Sequence, residues 1–369
     1  MTEEVLKVKN LKGVYKGNFG TVYAVDGVSF EINKGDIVAI AGESGSGKST
    51  LAELMTGAPM PMLHYQEGQV TVGGHDLYIP KPPKDSGNMR KWRKDQKKLA
   101  NLTRREVLCK IIGYVPQSSQ ASLNPVKKVK NFILDVMKQR IGTRPKKSGR
   151  KTIKEVIDGE EITITKQNLR TEVLERIMKH LEKLGLNRDI ITKYPHELSG
   201  GMKQRTVIGI STLWNPLILI ADEPTSALDV TTQKLLIETF MNLRKMGIIE
   251  TIVYISHDIA TLGQICNKGI IMYAGKLLEF NTMENIINAP LHPYTEGLIH
   301  SIASFNPDGT AETELIAIPG RPPNLRDPPT GCRFYDRCKK HMDICKEKYP
   351  PFFTPNTDGA KVACWLYKK

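Results

Sequence analysis

No stretch of this sequence approaches the roughly 20 consecutive apolar residues that a membrane-spanning helix needs, so the chain is not expected to cross a bilayer by itself. The first ten residues, MTEEVLKVKN, are polar and lack the basic-then-apolar pattern of a secretory signal, which makes the cytoplasm the expected compartment. Acid is scarce against base: 39 Asp and Glu stand beside 53 Lys and Arg, a formal net charge of +14. Such a surplus points to an anionic neighbour, whether nucleotide, nucleic acid or the inner face of a membrane. The charge gathers in runs at Lys91–Lys98, Lys127–Lys130, Lys138–Lys154 and Arg337–Lys348, each of which taken alone reads as a solvated surface. Cysteine is sparse too, with six in 369 residues. Cys109 and Cys266 stand alone in apolar surroundings as inert thiols. Cys332, Cys338, Cys345 and Cys364 crowd into the last few dozen residues, and in a cytosolic chain that pattern points to a metal before it points to disulfides.

What is present is ordinary globular composition, 40% hydrophobic and 25% charged, with length for one large α/β domain plus something smaller. Val5–Val8, Val22–Val25 and Val28–Ile32 read as short strands punctuated by Gly27 and Gly35. The apolar run Asp36–Ile40 leads through a glycine-rich turn into Ser49–Met55, which has helical spacing. Residues 217–221 and 251–255 look like buried parallel strands, with helical periodicity at 230–246 between them, a β-α-β alternation. Residues 80–107 form a lysine-rich insertion with helical parts. A second basic insertion covers about 141–168 and ends in a small hairpin, Thr152–Val156 with Glu161–Thr165. Residues 169–186 read as an amphipathic helix with Leu174, Ile177, Leu181 and Leu184 on one face. After about 290 the texture turns Pro-rich and loop-rich, which marks a separate terminal module.

Gly42-Glu-Ser-Gly45-Ser-Gly47-Lys48-Ser49 fits G-x-x-x-x-G-K-[ST] in full. Glycines let backbone N–H groups turn inward around phosphate oxygens, and the following helix adds its positive N-terminal end. Lys48 is placed to reach the β- and γ-phosphates and Ser49 to ligate Mg²⁺. The chain is therefore expected to bind a nucleoside triphosphate. Asp222 and Glu223 follow a buried strand; one can hold Mg²⁺, usually through water, and the other can polarise an attacking water. Leu198-Ser-Gly-Gly-Met-Lys-Gln-Arg205 opens onto a helix and offers a second anion-binding surface from a hydroxyl and two glycine amides. Gln117 and His257 each follow a short strand, where a lone Gln or His is more often structural.

Together these motifs resemble the ABC ATPase family over about residues 5–285, in family order: the phosphate loop at 42–49, Gln117 of the Q-loop, the signature at Leu198–Gln204, Asp222-Glu223, the D-loop Ser226-Ala-Leu-Asp229 and the switch His257. The resemblance implies an α/β fold of the P-loop NTPase, ABC type: a RecA-like core, an antiparallel β subdomain and a helical subdomain at about 118–212. It implies an ATPase domain over 1–288 and a loop-rich C-terminal module with four cysteines over 289–369. ATP and Mg²⁺ are the implied cofactors. Gly42, Ser44, Gly45, Gly47, Lys48, Ser49 and Thr50 would line the triphosphate, Tyr15 would stack on adenine, and Ser49, Gln117 and Asp222 would attend Mg²⁺. Glu223 and His257 are the implied catalytic residues. Two such domains are expected to close head to tail, each ATP facing Ser199, Gly200 and Gly201 of the other, with Asp229 crossing the interface. The signature reads LSGGM where LSGGQ is commoner, which leaves the serine and glycine amides in place.

Finer features resemble the dipeptide, oligopeptide and nickel importer branch: Gln117-Ser-Ser-Gln-Ala-Ser-Leu-Asn-Pro125, His292-Pro-Tyr-Thr295, Pro319-Gly-Arg-Pro-Pro323 and the cysteine tail. That branch implies import of peptides, nickel or oligosaccharides through two transmembrane permease subunits. It also implies a second homologous ATPase subunit (heterodimer or homodimer), an external solute-binding protein acting indirectly, and a peripheral place on the cytoplasmic face of the membrane. Repair-type relatives are disfavoured because only about 80 residues separate Gln117 from Leu198. The alternative is a nucleic-acid-associated ABC ATPase; no nucleic acid is expected. In the tail, Cys332-x5-Cys338-x6-Cys345-x18-Cys364 follows neither the zinc-ribbon nor the ferredoxin spacing. The branch resemblance implies a [4Fe–4S] cluster on these four, with zinc, free thiols or disulfides as the other readings. Arg333, Arg337 and Lys339 are expected to offset the charge of a thiolate-bound cluster.

Overall fold

The computed structural model describes residues 3–18, 20–82, 88–141, 153–157, 159–164, 168, 171–226, 228–301, 318–355 and 359–368. In chain order come β1 (Glu4–Gly17), β2 (Gly20–Asn33), β3 (Ile37–Ala41), α1 (Lys48–Met55), β4 (Leu63–Val72), β5 (His75–Asp76), α2 (Met89–Glu106), β6 (Ile112–Val115), α3 (Ser119–Ser122) and α4 (Val129–Ile141). Then follow β7 (Ile153–Ile157), β8 (Glu160–Ile164), α5 (Glu172–Lys183), α6 (Gly200–Thr212), β9 (Ile218–Asp222), α7 (Val230–Lys245) and β10 (Thr251–Ile255). Last are α8 (Ile259–Ile265), β11 (Lys268–Tyr273), β12 (Lys276–Thr282), α9 (Met283–Asn288), α10 (Pro293–His300), α11 (Asp343–Glu347) and β13 (Lys361–Val362).

The chain divides into two compact units, one from Met1–Ala100 with Val253–Lys369 and one from Asn101–Ile252. In the first unit an antiparallel sheet runs β2-β1-β4-β5, and a mixed sheet runs β13-β12-β11-β3-β10. All five residues of β3 are buried, as a strand covered on both faces requires. It pairs in parallel with β11 from Val38 opposite Lys268 to Ala41 opposite Ile271. Residues 289–369 share this unit, and β13 extends its mixed sheet by pairing antiparallel with β12. The expected short strands before residue 33 are in fact two continuous fourteen-residue strands. Gly27, at φ +75, does not end β2. It falls where the β1–β2 register shifts between Leu11 and Lys12, so the extra residue is taken up as a bulge.

The lysine-rich insertion forms α2, docked in the first unit by Trp92 Nε1 donating to Ile79 O at 2.9 Å and Ile79 N donating to Gln96 Oε1 at 2.8 Å. The second unit holds the parallel pair β9-β6 and the antiparallel hairpin β7-β8. That hairpin sits where the sequence placed it; Thr152, Asp158 and Thr165, with 142–151 of the second insertion, lie outside the described residues. On α5 the buried stripe is Val173, Ile177 and Leu181 with Leu184 beyond the end, and Leu174 is only half-buried. Among the described residues no helix is long and apolar enough to cross a membrane.

Candidate functional site

β3 ends at Ala41, α1 begins at Lys48, and the glycine loop lies between them. A Cβ on Gly42 (φ +149) would stand 2.1 Å from Met272 O, and one on Gly47 (φ +99) 2.2 Å from Ala24 O. Both positions are closed to side chains, so the loop presents backbone. Lys48 is buried, and its Nζ donates to Gly42 O at 2.8 Å and Glu43 O at 2.9 Å. The ammonium is thus folded against the loop it serves, where phosphate oxygens compete for the same hydrogens. Ser44 and Gly45 are exposed, Ser49 is half-buried and Thr50 buried. The Tyr15 hydroxyl lies 3.3 Å from Thr50 Oγ1, which brings the expected adenine-stacking residue beside α1. His257 is exposed just beyond β10; Ser256 N donates to Ile40 O, which ties that turn to β3.

In the second unit Asp222 is the buried last residue of β9 and Glu223 turns out of the strand at φ +44. That left-handed conformation is costly for a non-glycine residue and clusters at functional sites. Gln117 Nε2 donates to Glu223 Oε2 at 3.2 Å, so two of the expected site residues meet directly. Ser199 caps α6, its Oγ accepting from Met202 N at 3.3 Å, with Gly200 and Gly201 opening the helix. Asp229 caps α7 by accepting from Thr232 N and Thr232 Oγ1. The Thr232 hydroxyl, then the Thr232 amide, hold its carboxyl below the usual range. Ala227 of the D-loop lies outside the described residues. One link escaped the sequence: the Ser119 hydroxyl donates to Gln204 Oε1 at 2.5 Å, with both residues buried. It joins the segment after Gln117 to the signature helix, and only the shared polarity of two otherwise unremarkable positions could have hinted at it.

In the C-terminal module Cys332, Cys338, Cys345 and Cys364 line one small enclosed pocket with His292, Phe334, His341 and Trp365. Its open space is about 10 Å³, room for about one water. All six cysteines of the chain are unbridged, which sets aside the disulfide reading. Burial pushes the Cys332 thiol up to about 12, Cys364 up to about 11 and Cys338 upward. Among the described residues no three His, Cys, Asp or Glu side chains are arranged to hold a metal ion, so this geometry supports neither the cluster expectation nor the zinc one. The four thiols share this one pocket. The flanking arginines point elsewhere than expected: Arg333 pairs with Asp26 at 2.6 Å and Arg337 with Glu43 at 2.9 Å.

A glycine loop between a buried strand and a helix, with a buried lysine folded onto it, defines a phosphate-loop NTPase. Comparison with known families narrows the class. Residues 25–226 match the ABC transporter family, and residues 278–345 match the C-terminal region of oligopeptide/dipeptide transporters. The chain belongs to the ABC transporter family and is an ATP-binding, ATP-hydrolysing member of it. It is 38% identical over 367 residues to the dipeptide transport ATP-binding protein DppD of Caldanaerobacter subterraneus subsp. tengcongensis, covering 99% of this chain and 98% of that protein. It is 36% identical to the oligopeptide transport ATP-binding protein OppD of Bacillus subtilis, covering 98% and 88%. A dimeric ATP-binding cassette in a post-hydrolysis state, bound to ADP and Pi, matches with a TM-score of 0.52 at 25% identity, over 75% of this chain and 98% of that one.

Proposed function

We propose that the chain is the ATPase subunit of an importer of dipeptides or oligopeptides, working at the cytoplasmic face of the membrane with two permease subunits and a second ATPase subunit. The observation that supports this most is the joint match of one chain to the ABC transporter family and to the oligopeptide/dipeptide C-terminal region. In this reading the loop amides of 42–47 cradle the phosphates, Lys48 leaves the loop carbonyls for the β- and γ-phosphates, and Tyr15 stacks on adenine. Ser49, Gln117 and Asp222 attend Mg²⁺. Glu223 orients and polarises the attacking water, with Gln117 fixing its carboxylate, and His257 contacts the γ-phosphate. Ser199, Gly200 and Gly201 close on the ATP of the partner ATPase, and Asp229 supports that face from the start of α7.

The four cysteines of the C-terminal pocket are proposed to hold a [4Fe–4S] cluster. The donor set fits it in kind, and such a cluster would supply cross-linking to a loop-rich segment with little core of its own. The function is tested by reconstituting the chain with its genomically adjacent permease subunits in vesicles and measuring ATP hydrolysis. Stimulation by peptide together with the adjacent solute-binding protein is expected. Stimulation by nickel or an oligosaccharide instead, or by DNA or RNA, overturns the peptide assignment.

A further inference from the structure

Two segments that take no part in the nucleotide chemistry, those of Tyr294 and Arg337, converge on Glu43, the second residue of the phosphate loop. Arg337 grips its carboxylate with two parallel bonds, Nη1 to Oε2 at 2.9 Å and Nη2 to Oε1 at 3.0 Å. The other Arg337 hydrogens go to Pro319 O at 2.8 Å, Ile318 O at 3.2 Å and the Tyr273 hydroxyl at 3.1 Å. Tyr294 accepts the Glu43 backbone N–H at 2.8 Å, and Glu43 O is one of the two carbonyls that hold Lys48. The amide, carbonyl and carboxylate of Glu43 are all committed, two of them to the module that carries the cysteines. Burial disfavours the Arg337 charge, but the Glu43 carboxylate and the Tyr273 hydroxyl outweigh it and hold its pKa above the usual value. Arg333 does not touch the loop; it donates to Ala274 O and pairs with Asp26, and the residue after Ala274, Gly275, donates its N–H to Ser46 O at 2.9 Å.

We infer that Arg337 is a positioning residue for ATP binding, acting through Glu43, which makes the affinity of the phosphate loop depend on the cysteine module. Two effects act in the same direction. The planar guanidinium fixes the loop's second residue in one geometry, which a flexible point charge does not. It also neutralises a carboxylate that would otherwise stand unpaired within the loop that must accept a polyanion. The Arg337 side chain is 6% exposed and that of Glu43 29%, so solvent screens the pair only in part. Arg337 immediately precedes Cys338 on one tight turn, with Cys338 N donating to Tyr335 O and Arg337 N to Phe334 O. Whatever shifts that turn shifts the grip on Glu43.

The inference rests on the reading of residues 42–49 as the ATP-binding loop, and the test separates the two. The full chain is titrated with a fluorescent ATP analogue and Mg²⁺, and KM and kcat for ATP hydrolysis are measured on the same preparations. Wild type without nucleotide binding, or a Lys48→Ala variant that binds as well as wild type, sinks the loop reading itself. With binding established, Arg337→Ala is expected to weaken the affinity about tenfold and raise KM in step, leaving kcat within about twofold. Arg337→Lys restores part of the loss. Glu43→Gln removes the charge and leaves Arg337 one acceptor in place of two. Because Arg337 acts through Glu43, the double variant Glu43→Gln/Arg337→Ala is expected to lose clearly less affinity than the two single losses added together. A double variant that shows the full sum of the two losses, or an Arg337→Ala variant with wild-type affinity, overturns the inference. Should Arg337→Ala fail to fold by circular dichroism, Arg337→Lys decides: a raised KM with kcat unchanged supports the inference and wild-type affinity overturns it.

Discussion

Gln117 Nε2 donates to Glu223 Oε2 across 3.2 Å, joining the residue two places beyond β6 to the carboxylate that turns out of β9. Glu223 sits at φ +44, and Ser226 N donating to its carbonyl closes the turn that keeps it there. A strained residue held by a defined turn and aimed by a neighbouring amide is arranged for a task that needs a fixed oxygen. Glu223→Gln preserves size and removes the charge that polarises water. Hydrolysis is expected to fall by about 10²–10⁴-fold, the usual range for losing a general base, while ATP still binds and the ATPase accumulates as an ATP-bound dimer. Gel filtration with ATP and a phosphate-release assay check it; near-normal turnover would reassign the catalytic base.

Gly47 carries a different kind of constraint. Its φ of +99 disfavours any side chain, and a Cβ would lie 2.2 Å from Ala24 O. Backbone strain of this type costs on the order of 1–3 kcal/mol, and the clash adds to it, so Gly47→Ala must move the loop or β2. Nucleotide affinity is expected to drop at least about tenfold, with a lower melting temperature. A variant that binds and melts like wild type would show that the loop's shape does not depend on this glycine.

The elements that carry the candidate nucleotide site were legible in the sequence because each motif is a local event: a strand end, a turn, a helix start. β3, α1, β6, β9, α7 and β10 all lie where alternating apolar runs and glycine turns put them. Strand continuity through Gly27 was not legible, since a glycine that bends a strand and one that ends it look alike until the partner strand is known. The long-range pairs were equally hidden. Arg333 and Arg337 flank cysteines in the sequence, which suggested charge balance for a cluster; their partners Asp26 and Glu43 lie about 300 residues away. Only the fold brings a tail arginine onto a loop near the other end of the chain.

The cysteine pocket gives a direct chemical test. Burial pushes the Cys332 thiol up to about 12, Cys364 up to about 11 and Cys338 upward, so without an electrophilic partner these three stay neutral at physiological pH. A bound cluster reverses that by stabilising thiolate. Anaerobically purified protein is expected to carry about four irons and four labile sulfides per chain, and Cys338→Ser to lose them. Thermal stability should fall when iron is chelated from the folded chain. One zinc without sulfide, or no metal at all under anaerobic preparation, refutes the cluster assignment and leaves the ATPase assignment intact.

Cys266 provides the contrast within the same chain. It is buried and pushed up to about 12 by burial alone, so at pH 8 only about one molecule in ten thousand carries the thiolate that reacts. Alkylation of the native protein by iodoacetamide is expected to spare Cys266 and to reach it only after denaturation, as peptide mapping would show. Rapid native labelling there would mean that α8 opens far more readily than its packing implies.

The buried bond between Ser119 and Gln204 makes the most exacting prediction about how the signature helix is tied to the segment after Gln117. Both residues are 2% exposed, and among the described residues Gln204 Nε2 has no hydrogen-bond partner. Ser119→Ala would strand the Gln204 carbonyl oxygen as well, and an unsatisfied buried polar group costs about 1–3 kcal/mol. Replacing both partners with apolar groups, Ser119→Ala with Gln204→Leu, removes the stranded atoms and should recover most of that loss, since paired removal can be nearly neutral. Urea midpoints of the single and double variants measure the difference. If the double variant is no more stable than Ser119→Ala, the bond is not what holds these two segments together, and the contact between Ser211 Oγ and Tyr114 O, which also ties α6 to β6, becomes the link to remove next.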